Sequence, residues 1–246
     1  MSKTKHKVEK VETKFISPFG PNIMMGRIPD NIYKKFKNII DDVIKDKKES
    51  HADKLAGRIT EEWTIGENYI CKTQVEEFLI AIAEQYAIKT SERFLHNGGF
   101  TTSIDPNMPE TEVKASIVGG WVNEMKSGEY NPVHFHPFSN VTSVFFFSSV
   151  DSDFLTDMIA PENTIMSGIP VEKGSSGDGY LELIYKSGGY FEQGTFRVEP
   201  KDGMFLLLPS SLLHTVYPFV SDKKRISASF NFITESNSGI VNFGER

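Results

Sequence analysis

Apolar residues in the first hundred positions recur at helical spacing in two segments. The first segment begins at Asp30, a suitable N-cap, and its apolar positions extend from Ile32 to Val43. The second begins with the capping box Thr73-Gln74-Val75-Glu76 and runs toward Gly98-Gly99, where a helix is expected to end. The pattern therefore predicts two amphipathic helices within residues 30–98, and their apolar stripes are expected to pack against a sheet.

From about residue 115 the pattern changes to short apolar runs and alternation at period two, which indicate strands. Residues 115–123 are predicted as a strand in which Gly119-Gly120 marks a bulge or a close approach of two backbones. Residues 141–150 are rich in valine and phenylalanine and predict a central strand covered on both faces. Shorter strand patterns follow as far as residue 232. About seven or eight strands in this half fit a jelly-roll-like barrel.

These patterns predict one mainly β domain with flanking helices (α+β), a double-stranded β-helix. In this cupin-like, jelly-roll barrel, N-terminal helices brace the outside. The domain is expected to span residues 15–246, with an initial strand and the bracing helices in 15–110 and the barrel core in 111–246. Residues 1–14 carry five lysines and are predicted to be a mobile basic tail. Residues 151–179 predict a long loop that is a candidate lid.

Composition removes several classes of function. With 27 basic and 33 acidic residues the net charge is −6, which disfavours a nucleic-acid groove. No run of eighteen apolar residues is present, so no membrane span is expected and the protein is expected to be soluble. The single cysteine, Cys71, excludes an internal disulfide, fits a cytoplasmic location and is predicted to be a small core residue. The sequence contains no glycine-rich phosphate loop, nucleophile elbow or cysteine pair with zinc spacing.

The most informative stretch is Asn131-Pro132-Val133-His134-Phe135-His136-Pro137. In a strand, His134 and His136 would share one face and Phe135 would point to the other. Neutral imidazole is the commonest protein ligand for metals. His214 follows a strand-like apolar run and is the best candidate for a third ligand, although a loop histidine and a partly buried polar pair are the plainer alternatives.

A second polar face is predicted shortly after His214. In residues 225–232 polar and apolar residues alternate, so Arg225, Ser227, Ser229 and Asn231 share one side of a strand. A half-solvated strand packed on the core would show the same alternation.

Taken in order, these elements resemble the iron- and 2-oxoglutarate-dependent dioxygenases, and in particular small oxygenases of bacteria and their phages. The similarity covers roughly the C-terminal half and rests on five short motifs in a fixed order. They are Trp121-Val122-Asn123, His134-Phe135-His136-Pro137, Leu208-Pro209-Ser210, His214-Thr215-Val216 and Arg225-Ile226-Ser227.

The resemblance implies that His134 and His214 hold Fe(II), and that Arg225 and Ser227 bind the far carboxylate of 2-oxoglutarate. A planar guanidinium offers two parallel donors to a carboxylate, which agrees with this role. Asn123 is expected to face the same pocket and to contact the cosubstrate. The family's chemistry, with O2 as oxidant, would convert 2-oxoglutarate to succinate and most simply hydroxylate a substrate.

One position departs from the wider superfamily, which usually has an aspartate where this chain has His136. We expect His136 to be the third ligand, with an acidic side chain or water in that place as the alternative. Two other functions stay open: a cupin-like three-histidine metalloenzyme that does not use 2-oxoglutarate, and a non-catalytic metal-binding barrel. The substrate, a small molecule or a protein side chain, is not indicated, and the oligomeric state, a homodimer included, is left open.

Overall fold

The structure, a computed structural model, describes residues 12–16, 20–48, 50, 59–97, 112–148, 179–186 and 194–236. Within these ranges the chain forms eleven strands and three helices. In chain order they are β1 (Thr13–Ile16), β2 (Ile23–Arg27), α1 (Asp30–Asp46), β3 (Glu62–Thr64), α2 (Glu67–Ile70), α3 (Gln74–Asn97), β4 (Val113–Met125), β5 (Asn131–His134), β6 (Val141–Ser148), β7 (Leu181–Ile184), β8 (Thr195–Val198), β9 (Met204–Pro209), β10 (Leu213–Val216) and β11 (Arg225–Ser236).

The strands form two antiparallel sheets. The larger has the order β1-β2-β9-β6-β11-β4-β3 and the smaller β5-β10-β7-β8. From β4 onward the chain passes back and forth between the two sheets, so that four strands of each come from the C-terminal half. This is the strand arrangement of a double-stranded β-helix, and the predicted fold class is confirmed as two facing sheets.

Helices α1 and α3 cover the outer face of the larger sheet. Phe36 of α1 is fully buried, and its ring centroid lies 4.8 Å from that of Phe147 and 5.8 Å from that of Phe230. Phe78 of α3 packs on Phe205 in the same layer. The bracing role predicted for the helices is therefore confirmed, since each buries its apolar stripe against the sheet.

A second apolar cluster fills the space between the two sheets. It joins Phe146 and Leu206 of the larger sheet to Leu183 and Val216 of the smaller one. Strand β6 contributes to both clusters, because Phe145 and Phe147 face the helices while Phe146 faces the smaller sheet. The prediction of a central strand covered on both faces is confirmed.

The glycine pair Gly119-Gly120 in β4 lies where this strand is in close contact with β11. A Cβ atom on Gly120 would lie 2.6 Å from the ring of Phe230 on β11, so only glycine fits there. The β4–β11 register also shifts between Asn231 and Phe232, opposite Gly119 and Ile117. The predicted bulge therefore occurs at this point, and the close contact is with the side chain of Phe230 rather than between two backbones.

Several sequence predictions need correction. Pro29, not Asp30, is the N-cap of α1, because Asp30 already has helical geometry. Cys71 is exposed rather than buried, since it follows the short helix α2 at the surface. Thr13 and Lys14 belong to strand β1 rather than to a mobile tail, because they pair with Gly26 and Met25.

The capping box of α3 is largely confirmed. The backbone N–H of Glu76 donates to the Thr73 hydroxyl at 3.2 Å, while the Glu76 carboxylate accepts from the backbone of Lys72 at 2.7 Å rather than from that of Thr73.

Other predictions fall outside the described residues: the tail over residues 1–11, the stop at Gly98-Gly99 and the candidate lid up to residue 178. None of the described helices is long and apolar enough to cross a membrane.

Candidate metal centre and cosubstrate cleft

Two of the three predicted ligands face each other across neighbouring strands. His214 on β10 is the register partner of His134, the last residue of β5. In each ring Nδ1 donates to the carbonyl two residues earlier, from His134 to Pro132 at 2.7 Å and from His214 to Leu212 at 2.9 Å. These bonds place the hydrogen on Nδ1 and leave Nε2 of both rings with a free lone pair.

His136 lies in the same cluster, but it is not part of strand β5. Strand β5 ends at His134, so the alternation argument that placed both histidines on one strand was wrong for His136. Its backbone N–H instead donates to Ser210 at 2.9 Å, and its ring stacks on Trp121 with centroids 5.3 Å apart. The Nε2 atoms of His136 and His214 are 3.1 Å apart.

Together the three rings form a cluster suited to a metal ion. Their nearest ligand atoms all lie within 4.8 Å of one another, and among the described residues no carboxylate joins the cluster. Burial lowers the pKa of His136 to about 3 and that of His214 to about 4, and it lowers the pKa of His134 as well. At neutral pH all three rings are uncharged, which is the form that binds metals.

Arg225 is the first residue of β11 and is only 1% exposed. Its Nε donates to the carbonyl of Gly179 and its Nη1 to the hydroxyl of Ser227, both at 3.1 Å, and its guanidinium lies 5.3 Å from the Phe146 ring centroid. Nη2 is buried without a hydrogen-bond partner. Burial lowers its pKa to about 10, so the side chain remains a cation at neutral pH.

The remaining predicted contacts lie in the same cleft. Ser227 is the register partner of Asn123 on β4, and both side chains are buried. The amide oxygen of Asn123 has no hydrogen-bond partner. One cleft joins these residues to the histidine cluster. It is lined by Ile59, Trp121, Asn123, Met125, Asn131, His134, His136, Val144, Leu181, His214, Val216, Arg225, Ser227 and Ser229.

All six predicted site residues therefore line one cleft, but the sequence argument did not assign several of their neighbours to it. Ser229 could have been assigned to it, because it shares the strand face of Arg225 and Ser227. Asn131 could not, because it lies three positions from His134 and strand alternation would place it on the opposite face. The apolar wall formed by Ile59, Val144 and Leu181 carries no such local signal, since its members come from distant parts of the chain.

A buried carboxyl group lies beside the cleft on edge strand β3. Glu62 is the register partner of Asn123, so its side chain points to the same side of the sheet. It is 4% exposed, and burial raises its pKa to about 7. Neither β3 nor this acid was predicted, because the polar, mixed composition of residues 50–70 gave no strand pattern.

Comparison with known proteins agrees with this geometry. Residues 119–231, just under half of the chain, match the family model described as "Putative 2OG-Fe(II) oxygenase". The chain resembles the 2OG-Fe(II) oxygenases. The resemblance predicted from the five motifs is thus confirmed, and the family is one of enzymes that use Fe(II), 2-oxoglutarate and O2. No curated protein matches the sequence.

Solved structures of low sequence identity overlap with most of the chain. A prolyl-4-hydroxylase from Pseudomonas putida is 10% identical, with a TM-score of 0.48, over 86% of this chain and 91% of that one. A viral collagen prolyl hydroxylase from Paramecium bursaria Chlorella virus-1, solved as a 2-oxoglutarate complex, is 14% identical, with a TM-score of 0.41, over 85% and 94%.

The residues of the cleft fit both groups that the oxygenase family uses. Three neutral imidazoles supply the nitrogen ligands that a ferrous ion accepts. A buried guanidinium whose Nη2 has no hydrogen-bond partner, and which has no carboxylate partner among the described residues, fits an anionic cosubstrate. A centre held by these three histidines, with no carboxylate ligand among the described residues, would be one charge unit more positive than the usual two-histidine, one-carboxylate site.

Proposed function

We propose that the protein is an Fe(II)- and 2-oxoglutarate-dependent dioxygenase that hydroxylates a small molecule or a protein side chain. The observation that carries this proposal is the burial of the Arg225 guanidinium with its Nη2 left without a partner. Leaving a charged group buried and unpaired is strongly destabilising, so a buried guanidinium with a free Nη2 indicates an anionic ligand. This cation lines the same cleft as the three histidines, as a cosubstrate bridging a cation and a metal requires.

The proposed roles follow from the positions of the side chains. His134, His136 and His214 would hold the metal through ring nitrogens, and Arg225 would bind the far carboxylate of 2-oxoglutarate. Ser227 holds the guanidinium in place by accepting from Nη1. Asn123 would donate to the cosubstrate through its amide nitrogen.

When bound, iron and 2-oxoglutarate supply the oxidising chemistry: O2 and 2-oxoglutarate are consumed, succinate and CO2 are released, and one oxygen atom enters the substrate. The protein's own contribution is to orient these partners and to exclude water. The cleft is lined by the apolar side chains of Ile59, Val144, Leu181 and Val216, which help to exclude water.

The test is anaerobic visible absorption of the metal-stripped protein after addition of Fe(II) and then 2-oxoglutarate. A weak charge-transfer band that needs both additions is expected. It should be lost in His134→Ala and should require about 10- to 100-fold more 2-oxoglutarate in Arg225→Met, as loss of a charge-assisted hydrogen bond implies.

Lys224→Met is the matched control, because it removes the same charge from the neighbouring residue. Lys224 is largely exposed and pairs with Glu124, and it does not line the cleft. Bound iron without a band would contradict the proposal and favour a three-histidine metalloenzyme that does not use 2-oxoglutarate. Failure to bind iron would favour a non-catalytic barrel.

A further inference from the structure

The three ligand rings are not oriented in the same way. Backbone carbonyls fix His134 and His214, because each ring donates its Nδ1 hydrogen to a main-chain oxygen. No substitution of a side chain can remove those acceptors. For His136 no bond between a ring nitrogen and a backbone carbonyl is found among the described residues, so its orientation must depend on something else.

The short contact between the His136 and His214 rings indicates which nitrogen of His136 carries the hydrogen. Their Nε2 atoms are 3.1 Å apart, a hydrogen-bonding distance that requires one hydrogen between them. The hydrogen of His214 is held on Nδ1 by Leu212, so the shared hydrogen belongs to His136. Coordination of a metal by both Nε2 atoms requires this hydrogen to be on Nδ1 of His136 instead, where it needs an acceptor.

Asn231 can provide that acceptor. It lies on β11 in register with Thr142 and Gly119, on the strand face that also carries Arg225. Its Oδ1 is buried and has no hydrogen-bond partner, and its register partner Gly119 lies two residues from Trp121, on which the His136 ring stacks. A Cβ atom on Gly119 would have no heavy atom within 4 Å, so this register position leaves space for the amide.

We propose that Asn231 is a positioning residue that accepts the Nδ1 hydrogen of His136 and thereby presents Nε2 of that ring to the metal. This inference rests on the ligand role of His136 in the proposed function. Asn231 is neutral, so it fixes the ring without adding the negative charge that a carboxylate partner would bring. The third ligand thus depends on a side chain, whereas the other two depend on the main chain.

The test is proton NMR of the Co(II)-loaded protein, in which a paramagnetic ion shifts the N–H signals of its histidine ligands far from the rest. Three solvent-exchangeable shifted signals are expected. In Asn231→Ala the signal of His136 should be lost to exchange with water while the other two remain, and Co(II) affinity should fall about 10- to 100-fold.

Two further variants separate positioning from folding. Asn231→Asp retains an acceptor and should restore the third signal, shifted by the added charge. Thr142→Ala removes a buried hydroxyl in register with Asn231 and should leave all three signals unchanged. Thermal unfolding of the metal-free proteins shows whether each variant folds.

The outcomes distinguish the inference from the proposed function. Three signals that persist unchanged in Asn231→Ala would overturn the role of Asn231 and leave the ligand set intact. Only two signals in the unsubstituted protein, unchanged in His136→Ala, would remove His136 from the ligand set and overturn both.

Discussion

The two faces of strand β11 are equally buried and chemically opposite. On the face toward the helices, Ala228, Phe230 and Phe232 are fully buried in an apolar layer. On the face toward the smaller sheet, Arg225 and Ser227 are 1% and 2% exposed. Because one strand carries both faces, the difference reflects what each face contacts rather than its depth in the fold.

The difference separates the residues that stabilise the fold from those that are expected to bind ligands. Burial of apolar area stabilises the outer layer, whereas a buried polar group without a partner costs free energy. Two buried polar atoms without a partner belong to residues that line the cleft on the inner face, namely Nη2 of Arg225 and the amide oxygen of Asn123. A ligand that supplies their partners would offset this cost, so we expect substitutions on the two faces to affect different measurements.

The largest effect is expected on the outer face, from Phe36→Ala. The Phe36 ring contacts Phe145, Phe147 and Phe230, and its loss leaves a cavity in a layer that helices cover. Substitutions of this kind typically cost about 3–5 kcal/mol. Urea unfolding should show this loss in the free energy of unfolding, while Fe(II) affinity of the folded variant stays unchanged.

Phe36→Leu is the milder control for that variant and should lose clearly less stability, because it keeps most of the apolar volume. A fall in Fe(II) affinity that parallels the loss of stability across both variants would contradict the separation of the two faces.

The second effect concerns pH and Glu62, which points to the inner side. Its pKa is raised from 4.5 to about 7, so between these values the folded state retains a proton that the unfolded state has released. Stability from this group is therefore present below pH 4.5 and is lost as pH rises to about 7. The loss is at most about 1.4 kcal/mol for each pH unit.

Glu62→Gln removes the titrating group and keeps its size. Urea unfolding of the metal-free protein between pH 5 and 8 should show a smaller decrease of stability with pH in the variant. Glu67→Gln, at the exposed start of α2, is the control and should behave as the unsubstituted protein. Identical pH slopes in all three proteins would contradict the raised pKa.

Arg225→Met should reduce ligand binding without reducing stability. A charge-assisted hydrogen bond contributes about 1.5–3 kcal/mol, so 2-oxoglutarate affinity should fall about 10- to 100-fold. Without cosubstrate, the free energy of unfolding should stay within about 1 kcal/mol, because replacing a buried, unpaired charge by an apolar side chain is often neutral. Thermal unfolding with and without 2-oxoglutarate measures both, and a large loss of stability without ligand would show that Arg225 is structural.

Local patterns in the sequence predicted the face of β11 and the cleft residues on it. The alternation from Arg225 to Asn231 assigns each side chain to a side of the sheet, and the structure confirms the assignment for Arg225, Ser227 and Ser229. The spacing of apolar residues likewise predicted helices α1 and α3, because an amphipathic stripe is a property of neighbouring residues. The four-residue helix α2 was not predicted, because it is too short to show such a stripe.

What could not be predicted depends on contacts between distant segments. His136 is held outside a strand by a bond to Ser210, 74 positions later in the chain. Strand β3 exists because Glu62, Trp63 and Thr64 pair with β4, and three residues of mixed polarity give no signal of that pairing. Burial of Glu62 and the orphaned oxygen of Asn123 follow from the same long-range pairing.

The smallest effect is expected from Ser227→Ala, which tests whether the orientation of the Arg225 guanidinium depends on the Ser227 hydroxyl. Its hydroxyl accepts from Nη1 of Arg225, so its loss frees the guanidinium to adopt other orientations. A neutral hydrogen bond contributes about 0.5–1.5 kcal/mol, and 2-oxoglutarate affinity should fall about 2- to 10-fold.

Ser148→Ala provides the matched control, because that hydroxyl donates to the carbonyl of Lys224 outside the cleft. It should leave 2-oxoglutarate affinity unchanged in a titration of the charge-transfer band. In a double-mutant cycle, Ser227→Ala should have little further effect once Arg225 is methionine, since its influence acts through the guanidinium. An additive effect of the two substitutions would instead mean that Ser227 binds the cosubstrate directly.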